Sequence, residues 1–194
     1  LREKERNISS KISMTDAQFQ KNIKAIEGDK PTNTGILFFG KDPLIHIHHA
    51  QIRLARIKGK EIYNNILDRF DCNGTLWEMI LQAEDFIKRN IHFMGLRTEK
   101  FQREDKYEYP IKALREAMVN AVIHRDYHIK RDIEVKIFED RVEIENPGLF
   151  PYNITPANIG IVRSEGWRND LIVKHLREFP SPPNLDQNEG VKAM

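Results

Sequence analysis

The stretch Ala113-Leu-Arg-Glu-Ala-Met-Val-Asn-Ala-Val-Ile-His124 constrains the chain more than any other. It is apolar at most positions, and Pro110 just before it is suited to a first helical turn, so a helix is predicted over residues 111–124. Arg115, Glu116, Asn120 and His124 are its polar exceptions. The last three are spaced i, i+4, i+8 and lie nearly one above another on a single face. Ala113, Ala117 and Ala121 flank that line and keep its surroundings narrow. A polar stripe on a helix usually faces water. Here the line is thin and its flanks are apolar, so both flanks are expected to be covered and the line to face a pocket. A carboxylate, an amide and an imidazole in such a place each need a partner.

Other segments give a coarse architecture. Asp16–Ile26 has weak helical spacing, capped by Thr15 or Asp16, and Gly28-Asp29-Lys30-Pro31 ends it. Gly35-Ile-Leu-Phe-Phe-Gly40, a short apolar run between glycines, predicts a buried strand. Ala50–Ile57 alternates like a half-buried strand, and a second is expected over Ile62–Phe70. Thr75–Asn90 predicts a helix with Leu76, Met79, Ile80, Ala83, Phe86 and Ile87 in one stripe. Arg97–Tyr109 is charged and ambiguous. Ile133–Phe138 and Arg141–Glu145 predict a hairpin around Glu139-Asp140, and Asp170–Leu176 a short helix. Strands and helices alternate without a βαβ rhythm. The expected fold class is therefore α+β, a two-layer sandwich of a mixed or antiparallel sheet with helices on one face.

Composition excludes several classes. The formal net charge is +2, from 31 basic and 29 acidic residues, whereas strong nucleic-acid binding calls for a clear basic surplus. A single cysteine, Cys72, allows neither an internal disulfide nor a thiolate zinc cage. No apolar run approaches the ~18 residues of a membrane span, and no signal peptide is evident, so a cytoplasmic location is expected. Leu1 at the start and the stop at Met194 suggest a piece of a longer protein.

Glu116-x-x-x-Asn120-Ala121-x-x-His124 resembles the N-box of the gyrase/histidine-kinase/MutL (GHKL) ATP-binding fold. Further segments resemble the divergent ATPase domain of helicase-related transcriptional regulators. They are residues 31–43, Arg115 to Tyr127 with His124-Arg125-Asp126, Ile144-Glu145-Asn146-Pro147-Gly148, Arg168-Asn169, and residues 182–184 running on to Gly190-Val191. The resemblance implies a Bergerat-like fold over 31–194, with 1–30 a linker and helix from a preceding domain. It also implies ATP and Mg²⁺ as ligands, Glu116 as the group that orients or deprotonates water, and Asn120 as the Mg²⁺ ligand. His124, Glu145, Asn146, Gly148, Arg168 and Gly190 would contact nucleotide. Phosphoryl transfer is mainly positioning and charge neutralisation, so a base and a metal-holding oxygen one turn apart suffice. Relatives of this kind carry a Schlafen/AlbA-like domain before and a winged helix after, which would bring DNA as a partner outside this chain.

The adenine-binding DxGxG loop of that family is here Glu145-Asn146-Pro147-Gly148, with no aspartate; Glu145 and Asn146 both remain able to take the adenine amino group. Gly148 would serve a turn or a close ligand approach. The second glycine box is reduced to Asn188-Glu189-Gly190, where bare backbone N–H groups would cradle phosphate. Nucleotide binding with slow hydrolysis is one reading. The other is a scaffold that has lost nucleotide and serves dimerisation or effector recognition.

His124-Arg125-Asp126 opens like a kinase catalytic loop, but Arg131 stands where that loop needs asparagine. His46 and His48, with His124, Asp126 and His128, offer a metal set. Arg125, Lys130, Arg131, Arg163 and Arg168 offer phosphate contacts or a solvated basic rim. Trp77 and Trp167 read as structural.

Overall fold

The computed structural model describes residues 15–63, 65–97, 103–150, 153–162 and 166–178. In chain order the elements are α1 (Asp16–Asn22), β1 (Ile26–Glu27), β2 (Lys30–Pro31), α2 (Asn33–Phe39), a 3₁₀ turn (Pro43–Ile45), β3 (Ile52–Ile57), β4 (Ile66–Cys72) and α3 (Leu76–Asn90). There follow β5 (Phe93–Arg97), β6 (Arg103–Tyr107), α4 (Ile111–His124), β7 (Ile133–Ile137), β8 (Val142–Glu145) and α5 (Asp170–Glu178).

The main sheet has the order β4-β3-β7-β8. β3 pairs antiparallel with β4 and parallel with β7, and β7 pairs antiparallel with β8. The period of two along each strand decides what each face carries. Ile52 and Leu54 lie level with Cys72 and Phe70 on one side and with Ile133 and Val135 on the other. All of these except the half-buried Phe70 are buried, and they form the core with the apolar stripes of α3 and α4. The opposite face carries ion pairs: Arg53 with Asp71 and Asp132 (3.4 Å each), Lys136 with Glu134 (2.8 Å), and Arg131 with Glu145 (2.6 Å). The fold is thus a two-layer α+β sandwich with a mixed sheet, as the alternation of elements predicted.

α3 starts with a capping box, in which Thr75 accepts from the Glu78 N–H and the Glu78 carboxylate accepts from the Thr75 N–H. Its predicted stripe of six apolar residues is buried throughout. Glu84 is the one charged residue of α3 in that interior. It accepts from Arg115 Nε (2.5 Å) and Nη2 (2.8 Å) and sits 2.5 Å from Lys88 Nζ, tying α3 to α4.

Residues 35–40 form no strand: 35–39 belong to α2 and Gly40 ends it. Thr32 caps that helix by accepting from the Gly35 N–H and itself donates to the Lys24 carbonyl (2.8 Å). The buried positions Thr34, Leu37 and Phe38 follow a helical spacing, which a six-residue apolar run does not distinguish from a buried strand. Gly35 is needed for close approach, since a Cβ there would collide with the Ala25 carbonyl. The strand expected over 62–70 begins only at Ile66 and runs through Cys72. Ile62 and Tyr63 are exposed in the preceding loop, and the ladder with β3 ends at Ile52 opposite Cys72. The charged stretch after Asn90 folds as a separate hairpin, β5–β6. Among the described residues, no helix is long and apolar enough to cross a membrane.

Candidate functional site

The polar line of α4 lies on the side of the helix away from Met118 and Val122, with Val119 and Ile123 along one flank and Ala121 along the other. Met118, Val119, Ala121, Val122 and Ile123 are buried, Asn120 and His124 are half-buried, and Glu116 is exposed. The Asn120 Oδ1 atom is itself buried and has no hydrogen-bond partner among the described residues. A buried acceptor without a partner costs about 1–3 kcal/mol. That cost is tolerated where a donor or a cation arrives with a ligand. Oxygen is the ligand atom that Mg²⁺ prefers, and Mg²⁺ commonly takes few ligands from protein while keeping waters and substrate phosphates. One side-chain oxygen on a stiff helix therefore fits that ion, and Asn120 is the residue that would hold it.

His124 ends the helix. Burial, aided by the positive charge of Arg168, lowers its pKa below the ordinary histidine value and favours the neutral imidazole. Its ring lies 5.7 Å from the Trp167 ring, with 32° between the planes. The last carbonyls of a helix lack intrahelical donors, and here three consecutive ones are served from one short segment. Asn169 Nδ2 donates to the carbonyls of Ile123 and Arg125, both at 2.8 Å. Arg168 Nη1 donates to the His124 carbonyl (3.4 Å), and Nη2 to the Leu149 carbonyl (3.0 Å). A guanidinium at a helix C-terminus also opposes the helix dipole favourably.

The loop after β8 joins the same corner. The Asp126 N–H donates to the Pro147 carbonyl (2.8 Å). Gly148 has φ +143°, and a Cβ there would collide with Arg168 Nη1 and lie 3.3 Å from the Asp126 nitrogen. Three separate pieces of sequence, 123–126, 146–149 and 167–169, are thus knitted together. Glycine at 148 supplies the positive φ of this turn and leaves room for the Arg168 guanidinium.

The two residues left open for the adenine amino group differ in their surroundings. Glu145 is exposed and held by Arg131 (2.6 Å) and Lys136 (3.4 Å) on the charged face of the sheet. Asn146 is half-buried, and its Oδ1 is buried with no partner among the described residues. Gly190 and Arg163 lie outside the described residues.

Arg125 faces inward, with 1 % of its surface exposed. Its Nη2 donates to the carbonyls of His49 and Arg131, and its guanidinium lies 5.1 Å from the centre of the Tyr127 ring. Burial lowers its pKa, against the pull of Tyr127, Asp132 and Asp126. Arg125 therefore braces the loop before β3 and the loop after α4 rather than forming part of a basic rim. The resemblance of residues 124–126 to a kinase loop has its structural use in this brace. The histidines gather no metal set: His48 Nδ1 lies 2.7 Å from the Leu44 carbonyl and His49 Nε2 2.8 Å from the Tyr127 carbonyl. Among the described residues, no group of three or more His, Cys, Asp or Glu side chains is placed to hold a metal ion.

Sequence reasoning did not place Trp167 or Asp126 beside the helix line. The signal available was their position in the motif segments Trp167-Arg168-Asn169-Asp170 and His124-Arg125-Asp126.

Residues 130–194 match the family described as "Putative ATP-dependent DNA helicase recG C-terminal", which relates the last third of the chain to an ATPase-type domain of helicase-associated proteins. The matched stretch includes Asn146, Gly148 and Arg168 and begins after Asn120 and His124. No curated protein matches the chain. Among solved structures, the chain is similar to the DIP2311 protein from Corynebacterium diphtheriae, with a TM-score of 0.67 and 23% identity. That similarity covers 85% of this chain and 32% of the other, so the chain spans about a third of that protein's length. At this identity the likeness speaks for the fold.

Proposed function

We propose that the chain is a Mg²⁺-dependent ATP-binding module of a larger regulatory or helicase-associated protein. The observation that carries this reading is the buried Asn120 Oδ1, without a hydrogen-bond partner among the described residues, on a polar line one turn from Glu116 and one from His124. Asn120 would hold the ion, which when bound would neutralise phosphate charge. Asn146 would accept from the adenine amino group, because its oxygen is buried with no partner among the described residues while Glu145 is committed to two cations. Glu116, exposed and on the same face, would orient or deprotonate water in a slow hydrolysis. Arg168 and Gly148 would act by shaping the loop that closes the corner. DNA would be reached through neighbouring domains, since this chain carries no basic surplus.

A second reading is favoured by one observation. Arg168, whose charge acts on His124, directs its guanidinium to two carbonyls. On that reading the fold is a scaffold for dimerisation or effector recognition. Thermal melts separate the two. A ligand that binds only the native state at 100 times its Kd stabilises by about 2.7 kcal/mol. For a chain of this size that raises Tm by roughly 5–10 °C. The first reading expects that rise with MgATP, and its loss in Asn120→Ala. An unchanged Tm with MgATP supports the scaffold.

A further inference from the structure

The face of the main sheet turned away from α3 and α4 holds a cavity of about 260 Å³ over β3, between β4 and β7. One end of it is apolar, lined by Ile57, Ile62 and Ile66. Ile57 is buried there although it takes no part in the core under α3 and α4. A shift of register after Arg56 sets Ile66 opposite it. Ile62 comes from the loop between β3 and β4, and several bonds hold that loop in place. The Lys58 N–H donates to the Asn65 carbonyl (2.8 Å), the Glu139 N–H to the Gly59 carbonyl (3.1 Å), and Arg141 Nη1 to the Lys60 carbonyl (3.0 Å). Ile62 and Ile66 keep 57% and 50% of their surface exposed, so a ligand seated here would cover apolar area.

The other end is charged. Ala55, a short side chain, stands level with Arg69 on β4 and Lys136 on β7. Lys136 is held by Glu134 and Glu145, and Arg53, the third cation of the lining, by Asp71 and Asp132. Arg69 differs. Its backbone N–H donates to Asp68, but its guanidinium has no acceptor among the described residues. A guanidinium fork matches the two oxygens of a carboxylate. Asp71 and Glu134 in the same lining would repel a second negative charge on the ligand. At ~30 Å³ for each water of the liquid, the cavity has the space of about nine waters.

We propose that this cavity binds a small organic monocarboxylate, its carboxylate on Arg69 and its apolar body over Ala55 against Ile57, Ile62 and Ile66. α4 and Asn120 take no part in it, so this site stands or falls separately from the nucleotide-binding reading.

Isoleucine methyl NMR of the whole chain tests it, with isocaproate and benzoate as probes. Both acids should shift the methyls of Ile57, Ile62 and Ile66 saturably, with a Kd of about 1 mM or tighter, within reach of a ligand of about nine atoms. Ile52 and Ile133, on the other face of β3 and β7, should not move. Isocaproamide, which lacks the charge, should bind at least about 10-fold more weakly, and Arg69→Gln should weaken isocaproate by about 10- to 150-fold, the range of a charge-assisted hydrogen bond. Ala55→Leu, which fills the floor and leaves Arg69 in place, should also abolish binding. In both variants unchanged Ile52 and Ile133 methyls report an intact fold. The proposal is overturned if neither acid gives a saturable shift, if isocaproamide or inorganic phosphate binds as well as isocaproate, or if Arg69→Gln binds it equally. Shifts of the same three methyls that follow protein concentration instead of ligand would show a second copy covering this face, and would overturn it too.

Discussion

Replacing Gly148 by alanine tests how the corner is held. At φ +143° an alanine is strained, which costs of the order of 1–3 kcal/mol. Its Cβ would also meet Arg168 Nη1 and sit 3.3 Å from the Asp126 nitrogen and 3.4 Å from the Asp126 Cβ. The backbone neighbours have to give only slightly, whereas the guanidinium, as the far end of a flexible side chain, swings away. With it go the bonds to the His124 and Leu149 carbonyls, each about 0.5–1.5 kcal/mol and nearer the lower value for a group this exposed. Together the loss is about 2–4 kcal/mol, or roughly 5–15 °C in Tm for a chain of this length. Arg168→Ala alone should cost about 1–2 kcal/mol. If Gly148→Ala acts partly by expelling Arg168, the double variant should be about 1–2 kcal/mol more stable than the sum of the two losses predicts. Urea denaturation of the four proteins measures the cycle. Strictly additive losses would refute the claim that Gly148 makes room for Arg168.

Three further outcomes follow from the packing. Burial pushes the Glu84 carboxyl up, but its hydrogen bonds and charge interactions with Arg115 and Lys88 outweigh this and hold its pKa below 4.5. Its stabilising contribution is therefore fully present above that value and is lost as pH falls through the depressed one. Urea midpoints measured from pH 6 to pH 3 should fall less steeply in Glu84→Gln, which at neutral pH should already be less stable by about 2–3 kcal/mol. Thr75→Ala removes the α3 cap and should cost about 1 kcal/mol in the same assay. Cys72 is fully buried and its thiol is pushed up to about 12, first by burial and then by Asp71. At pH 8 it should react with a thiol reagent only at the rate of unfolding, and rapid labelling of the folded chain would contradict its placement.

The helices α3 and α4 were legible because their apolar stripes run for several turns and their ends carry Thr75 and Pro110. The sheet was legible as an α+β layer, from the alternation in 52–57 and the hairpin around Glu139-Asp140. α2 was misread because Ile36 to Phe39 is too short for its period to show, and the signal that decides it, Thr32 capping the Gly35 N–H, lies outside the apolar run. β6 carries charge at four of its five positions, and β5 is a five-residue run interrupted by Gly95, so neither alternates visibly. For the site, the line Glu116–Asn120–His124 was visible in spacing alone. The inward turn of Arg125 was not, because its partners are backbone carbonyls of His49 and Arg131, and these leave no trace in side-chain identity. The choice between Glu145 and Asn146 likewise needed the sheet: only register shows that Glu145 stands level with Glu134 on the charged face.

Asn120 is proposed to hold the ion of a bound nucleotide. Calorimetric titration of the chain with MgATP, beside Asn120→Ala and a titration in EDTA, tests it directly. The account predicts saturable binding to the unaltered chain that depends on Mg²⁺ and disappears in Asn120→Ala. Binding that is equal in the variant, or indifferent to Mg²⁺, would contradict it.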